Sequence, residues 1–226
     1  MCVICGRLFQ SICTCCCPKE ENILVMSVYE NRVWPFRTET RKSAEPSAIM
    51  AGESLRGTSI ENISHNIDTI RNVSIQMTNF SDMYTLANPR VHTSSGYCLN
   101  PPQPTITKKT SESCSFTKTP YAARGSVGVL TYEILTDEGQ RVGELAIMFS
   151  VPFDYNKWKN CVGLGIYEQQ ISCDDELFHQ MYYEKGPFTA TVATGSEIMY
   201  SGKGTCVKGT MSPAGNAIMK VEFRDL

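Results

Sequence analysis

The sequence predicts a mainly β protein: a compact antiparallel β-sandwich flanked by two short α-helices and preceded by a disordered, cysteine-rich extension. Three observations carry this expectation. From residue 71 onward the apolar period is two, as in Val73, Ile75 and Met77 alternating with Ser74, Gln76 and Thr78. Many short runs of this kind recur, with turn signals such as Asp137-Glu138-Gly139 and Ser212-Pro213-Ala214-Gly215-Asn216 between them. Two stretches alone break the pattern with helical spacing.

Residues 1–55 have no sustained periodicity and read as a disordered tail, leaving 56–226 as the folded domain. Six of the eleven cysteines fall in its first seventeen positions. A helix is expected over 58–70, where Ile60, Ile63, Ile67 and Ile70 share a face. Thr58 or Ser59 can cap it, and Glu61 suits its first turn. Such a helix docks on a sheet or enters a membrane; composition leaves both open. Strands are then expected near 73–78, 113–117, 127–135, 142–151, 162–167, 189–193, 197–200, 205–208 and 218–223. The second helix, over 174–185, opens on Asp174-Asp175-Glu176 and carries Leu177, Phe178, Met181 and Tyr182. Gly186-Pro187 follows it as a stop.

Composition excludes several classes. A net charge of −2 supplies no global field toward nucleic acid or an anionic bilayer. No apolar run is long enough to cross a membrane, and Met1–Gln10 is broken by Gly6 and Arg7 where a secretory signal needs a continuous apolar stretch. The irregular, odd cysteine set then argues for free thiols in a reducing compartment, and the Asn62, Asn72 and Asn79 sequons read as chance occurrences. No nucleophile, zincin, phosphate-loop or dinucleotide motif is present, so no enzyme and no cofactor is expected. Gly125-Ser126-Val127-Gly128 stands at a strand start, not before a helix, and so is no phosphate cradle. The N-terminal cluster is too tightly spaced for one tetrahedral metal ion, and no metal site is expected. S-acylation of Cys13, Cys15, Cys16 and Cys17, or no specific role, remains.

The positive signal is aromatic. Phe153, Tyr155 and Trp158 lie within six positions, beside Pro152 and among Asp154, Asn156, Lys157 and Lys159. Proline disfavours sheet pairing, so these rings are expected on a loop. Rings with a wet edge, flanked by lysines, suit contact with a bilayer at headgroup level, which marks Phe153, Tyr155 and Trp158 as membrane-contacting. Phe178, Tyr182 and Tyr183 form a second group. Core packing is the alternative for each ring.

Gly125-Ser126-Val127-Gly128-Val129-Leu130-Thr131-Tyr132, Phe149-Ser150-Val151-Pro152-Phe153-Asp154-Tyr155-Asn156 and Met181-Tyr182-Tyr183 resemble the actinoporins, the pore-forming cytolysins of sea anemones, in order and spacing. The resemblance covers roughly 60–226, and the extension with an inserted loop over 98–109 suggests a vertebrate-type relative. It implies a β-sandwich that binds phosphocholine headgroups, sphingomyelin above all, then self-associates on the membrane into a cation-permeable pore. Carried over by position, the headgroup site comprises Val127, Ser150, Pro152, Trp158, Phe178, Tyr182 and Tyr183, completed by Thr93 or Ser94. Arg71 matches a basic position beside the first strand, and Ile60, Ile63, Ile67 and Ile70 fall on the pore helix. Trp158 and Phe178 replace two family tyrosines, and Lys157, Cys161 and Val162 stand where membrane-facing aromatics would. The resemblance implies an extracellular or target-membrane location, against the cytoplasmic or peripheral-membrane one that the N-terminus suggests. Two further functions stay open: a glycan-binding module, since fungal lectins share a similar fold, and a lipid-contacting protein that does not permeabilise.

Overall fold

A computed structural model of the chain describes residues 58–202 and 204–226. The extension expected over 1–55, its boundary with the domain, and the acylation candidates Cys13, Cys15, Cys16 and Cys17 lie outside the described residues.

The domain is a sandwich of two six-stranded sheets. In chain order its elements are α1 (Ile60–His65), β1 (Asn72–Asn79), β2 (Thr85–Ser95), β3 (Tyr97–Asn100), β4 (Thr105–Ile106), β5 (Thr110–Thr117), β6 (Ser126–Leu135), β7 (Arg141–Val151), β8 (Cys161–Tyr167), α2 (Asp175–Tyr183), β9 (Phe188–Val192), β10 (Ile198–Gly202), β11 (Thr205–Met211) and β12 (Asn216–Asp225). One sheet runs β10-β11-β12-β1-β5-β3, the other β4-β2-β6-β7-β8-β9. Alternate residues of the facing strands make the core: Val73, Ile75 and Met77 from one sheet meet Leu130, Tyr132, Leu145, Ile147 and Phe149 from the other. Phe116 and Phe149 join the sheets, their ring centroids 4.5 Å apart.

The expected sandwich is present, with one departure from an all-antiparallel pattern. β1 and β12 pair in parallel, from Asn72 opposite Asn216 to Asn79 opposite Phe223. Alternation reports which face of a strand is buried but not its direction, so sequence periodicity could not show this. The stretch expected as an inserted loop over 98–109 also differs: it supplies most of β3 and all of β4, an edge strand for each sheet.

The first helix is shorter than expected. Ser59 caps it, its Oγ accepting from Asn62 N at 3.2 Å, but α1 ends at His65. Ile60, Ile63 and Ile67 are buried, whereas Ile70 is 62% exposed and belongs to no helical face. The reason is β1. Asn72 Nδ2 donates to Thr69 O at 2.9 Å, and the hydroxyls of Thr69 and Thr117 meet at 2.6 Å, drawing 66–71 out of the helix and into the sheet. α1 lies on β1 and β12, with Glu61 2.9 Å from Lys220. α2 lies on the outer face of the other sheet, where Leu177 and Met181 are buried with Val129, Ala146 and Met148.

Two of the three sequons are structural asparagines. Asn72 and Asn79 are fully buried, and Asn79 Nδ2 donates to Tyr84 O at 2.8 Å and Ile106 O at 3.1 Å. A glycan on either would be incompatible with this fold; Asn62 is exposed.

Candidate functional site

β7 ends at Val151 because Pro152 has no N–H to continue the ladder. The chain then makes a turn built on Asp154: its Oδ1 accepts from Asn156 N at 3.0 Å, and its carbonyl accepts from Trp158 N at 3.0 Å. This turn lifts Trp158 into solvent, 55% exposed, with Phe153 37% exposed beside it. Asn160 closes the loop, buried, its Nδ2 donating to Ser212 O at 3.0 Å and Ala214 O at 2.9 Å. Nothing in the local sequence marked Asn160 for this role, since its partners come from a turn about fifty residues away.

Arg71 holds the loop from the other side. Its Nε donates to Pro152 O at 2.8 Å and its Nη2 to Phe153 O at 2.8 Å. The guanidinium carbon also lies 4.3 Å from the centroid of Tyr155. Tyr155, expected to contact a membrane, is half-buried and engaged by the fold. Its ring is sandwiched between Arg71 and the core, and its hydroxyl donates to Asn160 Oδ1 at 2.8 Å. Phe153 and Trp158 remain outward.

The second aromatic group comes from α2. Asp174 caps it, Oδ1 accepting from Leu177 N at 3.0 Å, and the i, i+4 spacing that buries Leu177 and Met181 sets the next residues along the rim. Phe178 and Tyr182 are half-buried with centroids 5.5 Å apart; Tyr183, 63% exposed, meets Tyr182 edge-on at 4.6 Å. Beneath them a cross-strand row, Val127 opposite Ser150 and Ser150 opposite Cys161, faces α2. The Cys161 thiol lies 3.9 Å from the Tyr182 hydroxyl. Cys161 thus links the two groups, since it follows the Trp158 loop directly and touches α2. Sequence reading placed Cys161 only as a lost aromatic, not as this contact.

Ser94, and not Thr93, reaches α2. Its Oγ donates to Asp175 Oδ1 at 2.7 Å, while Thr93 pairs with Gly128 on the interior side of the sheet. His92 Nε2 lies 3.5 Å from the same carboxylate oxygen.

Burial pushes the Tyr182 phenol up to about 12, so it is a neutral donor at physiological pH. Ring faces of Trp158, Phe178, Tyr182 and Tyr183 can attract a quaternary ammonium, about 0.5–2 kcal/mol for each good contact. Hydroxyls beside them can donate to phosphate oxygens.

Residues 45–225 match the sea anemone cytotoxic protein family. DELTA-actitoxin-Aeq1a of Actinia equina is 34% identical over 99 residues, 44% of this chain and 43% of that protein. Nigrelysin of Anthopleura nigrescens is 33% identical over 100 residues, 44% of each chain. The match thus spans less than half the length of these anemone relatives. Bryoporin of the moss Physcomitrium patens is 29% identical over 178 residues, covering 78% of this chain and 97% of Bryoporin. Among solved structures, the lipid binding protein Nakanori superposes with a TM-score of 0.55 at 13% identity, over 73% of this chain and 75% of that one, a likeness of fold. With four-fifths of its length matched by the family, the chain belongs to the sea anemone cytotoxic protein family.

Proposed function

We propose that this protein binds phosphocholine headgroups, with sphingomyelin a principal target, and then self-associates on the bilayer into a cation-permeable pore. One observation carries the first step. The β7–β8 loop presents Trp158 to solvent, and the strand that follows it opens on Cys161, whose thiol lies 3.9 Å from the hydroxyl of Tyr182, itself stacked with Phe178 and the exposed Tyr183. The exposed rings of Trp158 and Tyr183, with the neutral Tyr182 hydroxyl, suit a choline cation with its phosphate. Membership in a family of cytotoxic proteins supports the second step.

The length of α1 favours a second reading, lipid contact without permeabilisation. Six helical residues span about 9 Å, against the ~30 Å of a bilayer core. A crossing helix would have to recruit residues on either side of Ile60–His65. No helix among the described residues is long and apolar enough to cross a membrane.

Calcein leakage and flotation with liposomes, with and without sphingomyelin, test both readings. Binding lost in Trp158→Ala and Tyr182→Ala, with circular dichroism unchanged, is the expected result. Wild-type protein that ignores sphingomyelin liposomes overturns the proposal. Binding without dye release selects the second reading.

A further inference from the structure

The strand connections at the end of the sandwich that holds the aromatic loop carry a basic excess, although the whole chain carries −2 and α2 beside that end adds Asp174, Asp175 and Glu176. Its connections, 66–71, 118–125, 152–160, 193–197 and 212–215, hold Arg71, Lys118, Arg124, Lys157 and Lys159 against Asp68, Asp154 and Glu197. Two of those acids are already engaged: Glu197 lies 3.4 Å from Lys208, and Asp154 organises the loop turn and sits 3.8 Å from Lys157.

The β5–β6 connection, 118–125, brings more than charge. Tyr121 stands at its tip, fully exposed, in a turn where Ala122 N donates to Thr119 O at 3.3 Å. Its φ is +59°, a left-handed conformation that is costly for a residue with a side chain. A large ring held in water on such a turn is available to contact a surface. Lys118 and Arg124 flank it, Arg124 exposed and Lys118 6.0 Å from the Phe153 ring.

This connection is tied to the aromatic loop. Lys118 N donates to Arg71 O at 3.0 Å, and the Arg71 guanidinium grips Pro152 and Phe153. On the other side Gly125 comes so close to β7 that a Cβ would sit 2.1 Å from Val151 O. Connection and loop therefore form one rim.

From this we infer that the 118–125 connection, which crosses from one sheet to the other, is a second docking element that takes anionic phospholipid: Tyr121 enters the headgroup layer while Lys118 and Arg124 pair with lipid phosphates. The inference rests on the membrane-binding reading above and adds a lipid class to it. A Lys or Arg at an anionic surface raises binding about fivefold, so the pair is worth about 25-fold at low salt, shrinking as salt screens it.

Flotation of the full chain with phosphatidylcholine–sphingomyelin vesicles, with or without phosphatidylglycerol, separates the two claims. Wild-type protein is expected to bind the anionic vesicles more tightly. The Lys118→Gln/Arg124→Gln double variant should lose that gain while keeping its binding to neutral vesicles. Tyr121→Asn should weaken binding to both; asparagine suits the left-handed turn, so a loss cannot be assigned to misfolding. Wild-type protein that binds neutral vesicles and gains nothing from phosphatidylglycerol overturns this inference alone, as does a gain that survives the double substitution. Binding to anionic vesicles alone supports it and overturns the phosphocholine reading. Binding to neither vesicle overturns both.

Discussion

Arg71 offers the sharpest test of how the aromatic loop is held. Its guanidinium donates to Pro152 O and Phe153 O, each at 2.8 Å, and covers the Tyr155 ring at 4.3 Å. A hydrogen bond involving a charged group contributes about 1.5–3 kcal/mol net, and the ring contact adds about 0.5–1 kcal/mol. Arg71 is half-exposed, so water recovers part of this on removal, and Arg71→Met should cost about 2–3 kcal/mol. For a domain of this size that lowers the melting temperature by roughly 5–10 °C. Arg71→Lys keeps the charge but cannot fork across two carbonyls, and should recover less than half of the loss. The chain has two tryptophans, Trp34 and Trp158, so a Trp34→Phe background makes fluorescence report the loop alone. Acrylamide should quench Trp158 more readily once the clamp is gone, and vesicle binding should weaken with it. An Arg71→Met variant that melts with its parent and leaves Trp158 quenching unaltered would show that the loop holds itself.

Two further expectations concern the sheet under α2. Arg90 pairs with Glu144, whose side chain is fully buried and whose other oxygen accepts from Ile171 N at 3.2 Å. Arg90→Leu strands that carboxylate and should cost about 2–4 kcal/mol in urea unfolding, Arg90 being one-third exposed. Burial raises the Tyr182 phenol from 10.0 to about 12, which favours its neutral form in the folded state. Its contribution is complete below the unfolded value and is lost as pH rises toward the folded one, so stability and vesicle binding should stay level from neutral pH to about 10 and decline beyond it. Tyr182→Phe should flatten the alkaline limb of melting temperature against pH.

How far the sequence reveals this molecule depends on how local each cause is. Alternation of apolar residues marks β1, β5–β8 and β10–β12 because each of these strands has one face toward the same core. β2 escapes that signal. Pro89 and Asn88, the latter at φ +51°, fall at a register shift between Ala87 and Arg90, and a bulge with a proline reads as a loop. β3 and β4 are short edges with little to bury. The helix boundary at His65 was equally hidden, because the groups that end α1, Thr117 among them, lie in a different strand. At the candidate site the outward rings of Trp158 and Tyr183 follow from composition: aromatic residues among lysines and acids have nowhere apolar to go. Tyr155 has the same neighbours in sequence and the opposite fate. Its ring is claimed by Arg71 and its hydroxyl by Asn160, and neither claim shows in the spacing of the loop.

Whether α1 leaves the sheet is the step on which permeabilisation would turn, and Ser74 gives a handle on it. Ser74 lies on the face of β1 turned away from the core, opposite Ile218 on β12, in the region where α1 docks. It is fully buried, and its hydroxyl has no hydrogen-bond partner among the described residues. Leaving such a group dry costs about 1–3 kcal/mol, a penalty that ends when α1 lifts and water reaches it. α1 is held by Ile60, Ile63 and Ile67 but rests on a face that favours hydration. Ser74→Ala removes the penalty and should stabilise the docked helix by about 1 kcal/mol. The headgroup binding proposed for the other sheet should not change. If α1 must detach for a pore to open, dye release should slow about fivefold, the factor that 1 kcal/mol imposes. A variant that melts higher yet leaks at the parental rate would mean that α1 stays docked and any permeabilisation proceeds without it.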